Sequence, residues 1–244
     1  MTTTSTPILW RGLEFETDDE DVYAPKPASL LLAEQAIERI RPGERVLDAC
    51  TGSGVVGISI AKFVPGSRVT VSDINDAALA SAKRNAARNA VDVRLAPSNL
   101  YEDFADAEFD VVTVHPPAVP YPDDSTWGLS AGMQVATDGG SDGSNLVVRS
   151  IAEARRVLRK RGRLLLLLPH WSNVEKARQT LRGHYSDVAE LARKSVEFFP
   201  VREGKPSEKL LAHVRQLAAA GVIEMTFEGA FPLSTVSVIE ARVP

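Results

Sequence analysis

Cysteine and histidine are scarce in this chain of 244 residues, which has 1 cysteine and 4 histidines. The single cysteine, Cys50, excludes an intrachain disulfide and is typical of proteins from a reducing compartment. The histidines are scattered, and the sequence has no His-x-x-x-His or Cys-x-x-Cys spacing. We therefore predict no metal site, because a bound metal needs several such side chains held together.

Long hydrophobic runs and an excess of positive charge are also missing. The longest apolar run, at residues 164–169, is much shorter than the ~20 residues of a membrane-spanning helix. The first residues lack the basic and apolar pattern of a signal peptide. The net charge of −4 and the pI near 5.7 argue against a nucleic-acid partner, which usually requires a basic face. We expect a cytoplasmic protein without a membrane or nucleic-acid partner.

Apolar strands alternate with helical segments over the first two thirds of the chain. Strands are expected at residues 44–49, 67–74, 91–100, 109–117 and 163–171. Because helical patterns separate most of them, they predict right-handed crossovers and a parallel sheet, which is an α/β fold.

The C-terminal third is less regular. Helices are expected at residues 173–192 and 206–221, and strands at 195–201 and 234–243. We interpret residues 1–244 as a single domain. It has an N-terminal lid segment at residues 1–27 and a helical insertion at residues 203–229 before the last strand.

Four of the expected strands end in polar residues, namely Asp48, Asp73, Asn99 and His115. In an open α/β sheet, ligands bind outside the carboxyl ends of the strands, near the point where the strand order reverses. These four residues therefore mark the candidate ligand site.

The turn after the first of these strands contains glycines at 52, 54 and 57, and Asp73 ends the next strand. A nicotinamide site has this layout, but its pyrophosphate would lie over the helix N-terminus, where Asp48 would repel it. The same carboxylate suits an ammonium or sulfonium group, and S-adenosylmethionine carries both without a phosphate. A purely structural glycine turn and a nicotinamide site both stay open as alternatives.

Each element of this turn has an expected role towards S-adenosylmethionine. Gly52 and Gly54 allow the backbone to approach the ligand closely. Asp48 faces the cationic amino-acid part, Asp73 accepts hydrogen bonds from both ribose hydroxyls, and Ile74 packs against adenine.

The sequence resembles the class I S-adenosylmethionine-dependent methyltransferases from about residue 22 to residue 171, and again in the final strand. The segment DACTGSG at 48–54 is similar to their D-x-G-x-G-x-G turn, and VSDIN at 71–75 to their second-strand acid. The resemblance implies a Rossmann-like, doubly wound α/β fold. Its sheet would be mostly parallel and seven-stranded, with helices on both faces and an antiparallel last strand.

The resemblance also completes the set of cofactor-binding residues. An acid or amide after the third strand binds the adenine amino group in that family, and Asn99 is the candidate here; a plain turn asparagine is its alternative. Cys50 replaces the first glycine of the family turn, and we expect an ordinary backbone conformation for it. The expected cofactor-binding residues are Asp48, Thr51, Gly52, Gly54, Asp73, Ile74, Ser98, Asn99 and His115.

The segment FDVVTVHPPAVP at 109–120 carries the candidate chemistry. Release-factor glutamine methyltransferases and similar amino methyltransferases have Asn-Pro-Pro-Tyr where this chain has His-Pro-Pro-Ala. In them the Asn side chain and the first proline carbonyl accept hydrogen bonds from the reacting –NH₂. Here the carbonyl of Pro116 can still accept, whereas His115 can take a proton near working pH. A structural strand-end histidine is the alternative.

Two further stretches support the likeness to these relatives, at residues 22–36 and 136–151. We expect Tyr23 to close the pocket and to share the catalytic role with His115 and Pro116. A flap is expected at residues 118–133. The expected substrate-binding residues are Pro117, Tyr121, Trp127 and His170. The alternatives are packing for Tyr23, an ordinary surface loop for the flap, and core packing for His170, which is the favoured reading of that residue.

The loss of the Asn side chain argues for an acceptor other than a glutamine amide. We expect an S-adenosylmethionine-dependent transferase that methylates a nitrogen or oxygen of a small molecule or an amino-acid side chain, with a small molecule favoured over a protein. One alternative is an enzyme that cyclises the cofactor to azetidine-2-carboxylate and methylthioadenosine. The other is a non-catalytic or nicotinamide-binding protein of the same fold. The sequence does not indicate an oligomeric state.

Overall fold

The computed structural model describes residues 6–16, 19–122, 129–198, 207–228 and 231–244. Its strands, in chain order, are β1 (Ile8–Trp10), β2 (Leu13–Phe15), β3 (Arg45–Ala49), β4 (Arg68–Asp73), β5 (Arg94–Pro97), β6 (Phe109–Val114), β7 (Leu158–Pro169), β8 (Asp187–Glu197), β9 (Met225–Thr226) and β10 (Leu233–Arg242). Its helices are α1 (Pro27–Arg39), α2 (Val55–Phe63), α3 (Asp76–Arg88), α4 (Ala131–Thr137), α5 (Asn145–Val157), α6 (Val174–His184) and α7 (Glu208–Ala219).

A mostly parallel sheet has the strand order β5-β4-β3-β6-β7-β10-β8, with the two-residue β9 added on β10. The strands from β5 to β7 pair in parallel, while β10 is antiparallel to both β7 and β8. The predicted α/β fold with an antiparallel last strand is therefore confirmed. The strand order reverses between β3 and β6, which places a ligand crevice at their carboxyl ends.

The run of five leucines in β7 reflects burial by helices on both faces of the sheet. Successive side chains of a strand point to opposite faces. Leu164 and Leu166 pack in one cluster with α5 and α6, whereas Leu165 and Leu167 pack in another with α1, α2 and α3. A strand buried on both faces reads as a continuous apolar run.

The expected helix at residues 173–192 is wrong in its second half. Helix α6 ends at His184, and residues 187–197 form β8 instead. This strand lies at the sheet edge and most of its side chains are exposed. Because its two faces are not divided into a buried and a polar one, the sequence has no clear alternating pattern there.

Helix α7 lies within the predicted insertion at residues 203–229. Its Leu210 and Val214 form a third apolar cluster with Tyr121 and Phe198, and Trp171 packs against it. Across the described ranges, no helix combines the length and apolar character needed to cross a bilayer. The expected cytoplasmic location stays a prediction.

Candidate active site

A cleft of about 430 Å³ opens at the carboxyl ends of β3, β4 and β6. It lies at the point where the strand order reverses, as expected for this class of sheet. The predicted site residues that line it are Tyr23, Asp48, Thr51, Gly52, Asp73, Ile74, Ser98, Asn99, His115, Pro116 and Pro117. Most of the residues predicted from the four strand ends thus come together in one cleft.

Asp48 is the most buried acid of the cleft, with 2% of its surface exposed. Its carboxyl group accepts hydrogen bonds from Thr51 Oγ1 (2.5 Å), Gly57 N (3.0 Å) and Thr113 Oγ1 (2.7 Å). Burial nevertheless raises the pKa of Asp48 to about 6 because the three hydrogen bonds offset only part of the lost hydration. The group is still largely ionised at neutral pH.

Asp73 ends β4 and binds the glycine turn. Its Oδ2 accepts a hydrogen bond from Gly52 N (2.9 Å), and its Oδ1 accepts one from Asn75 N (3.0 Å). Burial raises its pKa above the ordinary range of an aspartate. The next residue, Ile74, leaves 56% of its surface exposed, so an apolar side chain is available beside the acid for a flat ring.

The donor set of the cleft fits S-adenosylmethionine. Among the described residues, neither Asp48 nor Asp73 has an ion-pair partner. A buried carboxylate without a countercharge favours a cationic ligand. Asp48 would hold the amino-acid part, Asp73 the ribose and Ile74 the adenine, and a pyrophosphate would meet two acids.

The expectation of an ordinary conformation for Cys50 is wrong. Its φ is +53°, in the left-handed region where the family turn has a glycine. A side chain there costs about 1–2 kcal/mol. The Cys50 side chain is partly buried against the cluster that contains the β3 residues Leu47 and Ala49, and this packing offsets part of that cost. The turn therefore has a left-handed backbone at this position, which a glycine would adopt without strain.

Ser98 and Asn99 follow β5 at the adenine end of the cleft. Asn99 Nδ2 donates a hydrogen bond to Glu102 Oε1 (2.8 Å), which leaves its side-chain carbonyl for a ligand. The Ser98 hydroxyl accepts a hydrogen bond from Asp103 N (3.4 Å). Both residues line the cleft, and their binding roles stay predictions.

His115 extends from the end of β6 into a pocket formed with the N-terminal segment. Its Nδ1 lies 3.3 Å from Ser29 Oγ, and its ring makes an edge contact with Tyr23 at 6.3 Å between centroids. Burial lowers the pKa of His115 to about 4. This is far from the ordinary value near working pH on which the expected proton-accepting role rests, so the ring is neutral at pH 7.

The loop after His115 is held by the glycine-rich turn at residues 139–143. Val119 N donates to Thr137 O (2.8 Å), and Gly139 N donates to Val119 O (3.0 Å). A Cβ on Gly139 would lie 2.6 Å from Ala118 Cα, and one on Gly143 would lie 2.5 Å from Ala118 O. The turn fixes the segment after the two prolines because only hydrogen atoms fit at these glycines.

Helix α4 forms a wall of the cleft that sequence reasoning missed. The expected flap at residues 118–133 includes its first turn, and Gln134 to Asp138 line the cleft. Ser130 caps the helix and also donates to Glu20 O (3.2 Å), while Gly132 N donates to Asp21 Oδ1 (3.2 Å). A serine followed by Ala-Gly-Met was the available signal, and it is a weak one.

Three predicted residues do not line the cleft, and a fourth lies outside the described residues. Gly54 has φ +86°, and a Cβ there would lie 2.7 Å from Ile58 Cδ1, so packing at the start of α2 accounts for it. Tyr121 is buried and its hydroxyl pairs with Thr137 Oγ1 at 3.2 Å. His170 is fully buried behind the cleft wall, where Trp171 is the lining residue. Trp127 lies outside the described residues.

A second, more open hollow of about 840 Å³ borders the cleft. Asp138 and Leu146 line both spaces. Within the ranges that the structure covers, no group of three or more metal-ligating acids, histidines or cysteines is placed to hold a metal ion.

Comparison with known proteins identifies the family. The profile of the family described as "Methyltransferase small domain" matches residues 23–125. A Release factor glutamine methyltransferase of Gloeobacter violaceus is 34% identical over 164 residues, which cover 64% of this chain and 57% of that protein. A Methanocaldococcus jannaschii protein with the provisional name protein N5-glutamine methyltransferase is 32% identical, over 60% of this chain and 72% of that protein.

A third relative and two solved structures agree with this. A Ribosomal protein uL3 glutamine methyltransferase of Bordetella pertussis is 32% identical over 74% of this chain and 63% of its own length. The YcgJ protein of Bacillus subtilis superposes with a TM-score of 0.61 at 16% identity, over 88% of this chain and 97% of that one. The ribosomal protein L11 methylase of Lactobacillus delbrueckii superposes with a TM-score of 0.52 at 18% identity, over 90% of this chain and 83% of that one. At these identities the structures show the fold alone.

The relatives correct one expectation from the sequence. A small-molecule acceptor was favoured over a protein, and this is wrong: the similar proteins are named as methyltransferases of a release factor and of ribosomal protein uL3. The chain spans only a little more than half of the first such relatives, at 57% and 52% of their lengths. The expected cofactor, S-adenosylmethionine, is confirmed by the family. The chain belongs to the class I S-adenosylmethionine-dependent methyltransferases, close to the glutamine methyltransferases.

Proposed function

We propose that this protein transfers a methyl group from S-adenosylmethionine to the side-chain nitrogen of a glutamine in a protein. The observation that carries the proposal is one cleft with two halves. Asp48 and Asp73 lie in the cofactor half, and His115 and Pro116 lie at the end of β6 in the same cleft. The cofactor supplies a methyl group on a positively charged sulfur.

The residues of the chain act mainly by positioning the acceptor nitrogen. The Pro116 carbonyl accepts a hydrogen bond from the –NH₂ of the glutamine side chain, and His115 contacts the same carboxamide. Holding a nucleophile in line with its target can supply about 7–11 kcal/mol of a reaction barrier. The glycine turn at residues 139–143 contributes because it fixes the loop that follows Pro116.

A protein acceptor is supported by the space around the cleft. The cleft of about 430 Å³ lies beside the open hollow of about 840 Å³, and Asp138 and Leu146 line both spaces. A segment of chain on either side of a glutamine needs such an open approach. A small molecule is better held by an enclosed pocket.

The test is an assay with purified protein acceptors. The chain is incubated with S-adenosylmethionine and either the release factor or ribosomal protein uL3 from the same organism, and methyl groups are located by mass spectrometry. We expect one added methyl on a glutamine, with S-adenosylhomocysteine formed in equal amount. His115→Ala should lower turnover by about 10-fold to 10²-fold, since a hydrogen bond worth roughly 1–3 kcal/mol is lost.

Controls separate the alternatives. A matching glutamine-to-glutamate change in the acceptor should abolish methylation. Methylthioadenosine formed from the cofactor alone would instead support cyclisation of the cofactor. Methylation only at lysine or arginine residues would contradict the glutamine assignment.

A further inference from the structure

Ser29 makes a contact with His115 that the sequence alone did not indicate. Ser29 lies in the first turn of α1 and has 5% of its surface exposed. Its hydroxyl oxygen lies 3.3 Å from His115 Nδ1, across 86 positions of chain. Because Nδ1 is occupied by Ser29, Nε2 is the ring nitrogen that is left for a ligand in the cleft.

The hydroxyl group determines which nitrogen carries the proton. A serine hydroxyl has one proton to donate, and a neutral imidazole has one donor and one acceptor nitrogen. Within the described segments, Nδ1 is the only hydrogen-bond partner of the Ser29 hydroxyl. With the ring proton on Nδ1, the buried hydroxyl would have no acceptor, at a cost of about 1–3 kcal/mol. The ring proton therefore belongs on Nε2.

We propose that Ser29 is a positioning residue that donates to His115 Nδ1 and thereby makes Nε2–H a hydrogen-bond donor to the acceptor substrate. The edge contact of Tyr23 with the ring, at 6.3 Å between centroids, holds the plane of the ring. Burial of the ring lowers its pKa to about 4 and keeps it neutral, so a second proton does not remove the dependence on Ser29.

The tautomer of His115 also bears on which substrate group can be methylated, and this step rests on the proposed function. Nε2–H is a donor and the carbonyl of the next residue, Pro116, is an acceptor. A primary carboxamide has the complementary pair, with a carbonyl oxygen that accepts and an –NH₂ that donates. A carboxylate lacks the donor and an ammonium group lacks the acceptor. His115 would therefore select an amide as a hydrogen-bond donor, and not accept a proton from it.

Nitrogen-15 NMR of the histidine side chains tests the tautomer without any acceptor. The chain has 4 histidines, and His115→Gln identifies the signal of His115. In the wild-type protein at pH 7.5 we expect a protonated Nε2 and an unprotonated Nδ1. Ser29→Ala should convert this into a mixture of tautomers, whereas Ser29→Thr, which keeps the hydroxyl, should preserve the wild-type pattern. A wild-type signal with the proton on Nδ1, or an unchanged spectrum in Ser29→Ala, would overturn the proposal.

Kinetics provide a second readout. Ser29→Ala should lower kcat by about 5-fold, the effect of one hydrogen bond worth ~1 kcal/mol, and Ser29→Thr should restore it. The Kd of S-adenosylhomocysteine should stay unchanged, because Ser29 acts on the acceptor side. Loss of cofactor affinity in Ser29→Ala would contradict the role. If no protein is methylated, the proposed function fails, while the NMR result still decides the tautomer.

Discussion

Asp48 is a residue at which folding and cofactor binding have opposite requirements. Its carboxyl group is 2% exposed and burial raises its pKa to about 6, whereas an unfolded aspartate titrates near 3.9. Above pH 6 the charge is present in both states, and its burial costs up to about 3 kcal/mol. Below about pH 4 the group is neutral in both states and the cost disappears. Stability from this group therefore rises as the pH falls from 6 to 4.

Asp48→Asn should be more stable than the wild type at neutral pH and bind the cofactor poorly. The amide oxygen can accept from Gly57 N and Thr51, while its –NH₂ donates to Thr113, whose hydroxyl can turn towards Leu47 O at 3.5 Å. We expect a gain of roughly 1–3 kcal/mol in the free energy of unfolding at pH 7.5, measured with urea. The gain should shrink at pH 5.

The exposed Asp92 provides a matched control. Asp92→Asn removes one carboxylate without changing the buried site, and its effect should stay within about 0.5 kcal/mol at both pH values. A lower stability of Asp48→Asn at pH 7.5 would show that the three hydrogen bonds to the carboxylate outweigh the cost of its burial.

At the level of single residues, the sequence predicted where the site residues lie better than it predicted their protonation or backbone conformation. The motif around Asp48 and Asp73 placed both acids in the cleft because strand ends meet at one edge of a parallel sheet. The lowered pKa of His115 was not predictable, since it depends on burial by a segment far away in sequence. The left-handed backbone of Cys50 was missed because only the turn as a whole requires it.

The glycine-rich turn at 139–143 is the element that holds the loop after the two prolines. Gly139→Ala would place a Cβ 2.6 Å from Ala118 Cα, where backbone must move. We expect turnover to fall by at least about 10-fold, because small misplacements of a catalytic segment are costly. The Kd for S-adenosylhomocysteine, measured by calorimetry, should change by less than about 2-fold, because the substitution does not touch the cofactor half of the cleft.

A second glycine serves as the control for this change. Gly183 lies near the end of α6, and no atom lies within 4 Å of a Cβ built there. Gly183→Ala should keep full turnover and add roughly 0.5–1 kcal/mol of stability, as expected for alanine in a helix. Equal turnover in Gly139→Ala and Gly183→Ala would mean that the turn does not position the loop.

A hydrogen bond from a buried histidine joins the end of β7 to the segment that follows α7. His170 Nδ1 pairs with Glu224 Oε2 at 2.6 Å, and its Nε2 pairs with Ser237 Oγ at 2.9 Å. Glu224→Ala leaves a buried ring nitrogen without its partner, so we expect a loss of about 1–3 kcal/mol in thermal or urea unfolding. Glu228→Ala, at an exposed position nearby, should have no effect beyond about 0.5 kcal/mol.

Over the whole molecule, the order of strands and helices was predictable where each element is buried. Four of the five parallel strands, β3, β4, β6 and β7, have buried apolar runs that follow from helices on both faces. Most of the edge strand β8 and the helix α4 were not predicted, because tertiary pairing and contact with the N-terminal segment determine them; only the end of β8 overlaps the strand expected at residues 195–201. The part of the site that the strand ends form was therefore predictable, whereas the part that α4 forms was not.

Cofactor binding should stabilise the whole chain in a way that identifies the ligand. A ligand at 100 times its Kd adds about 2.7 kcal/mol, which raises Tm by roughly 5–10 °C in a protein of this size. We expect this shift with S-adenosylhomocysteine in a thermal-shift measurement. NAD should give none, since Asp48 and Asp73 would repel its pyrophosphate. Asp73→Ala should lose most of the shift because the ribose loses its acceptor. An equal shift with NAD would contradict the assignment of the cleft, and a full shift in Asp73→Ala would contradict the role of that acid.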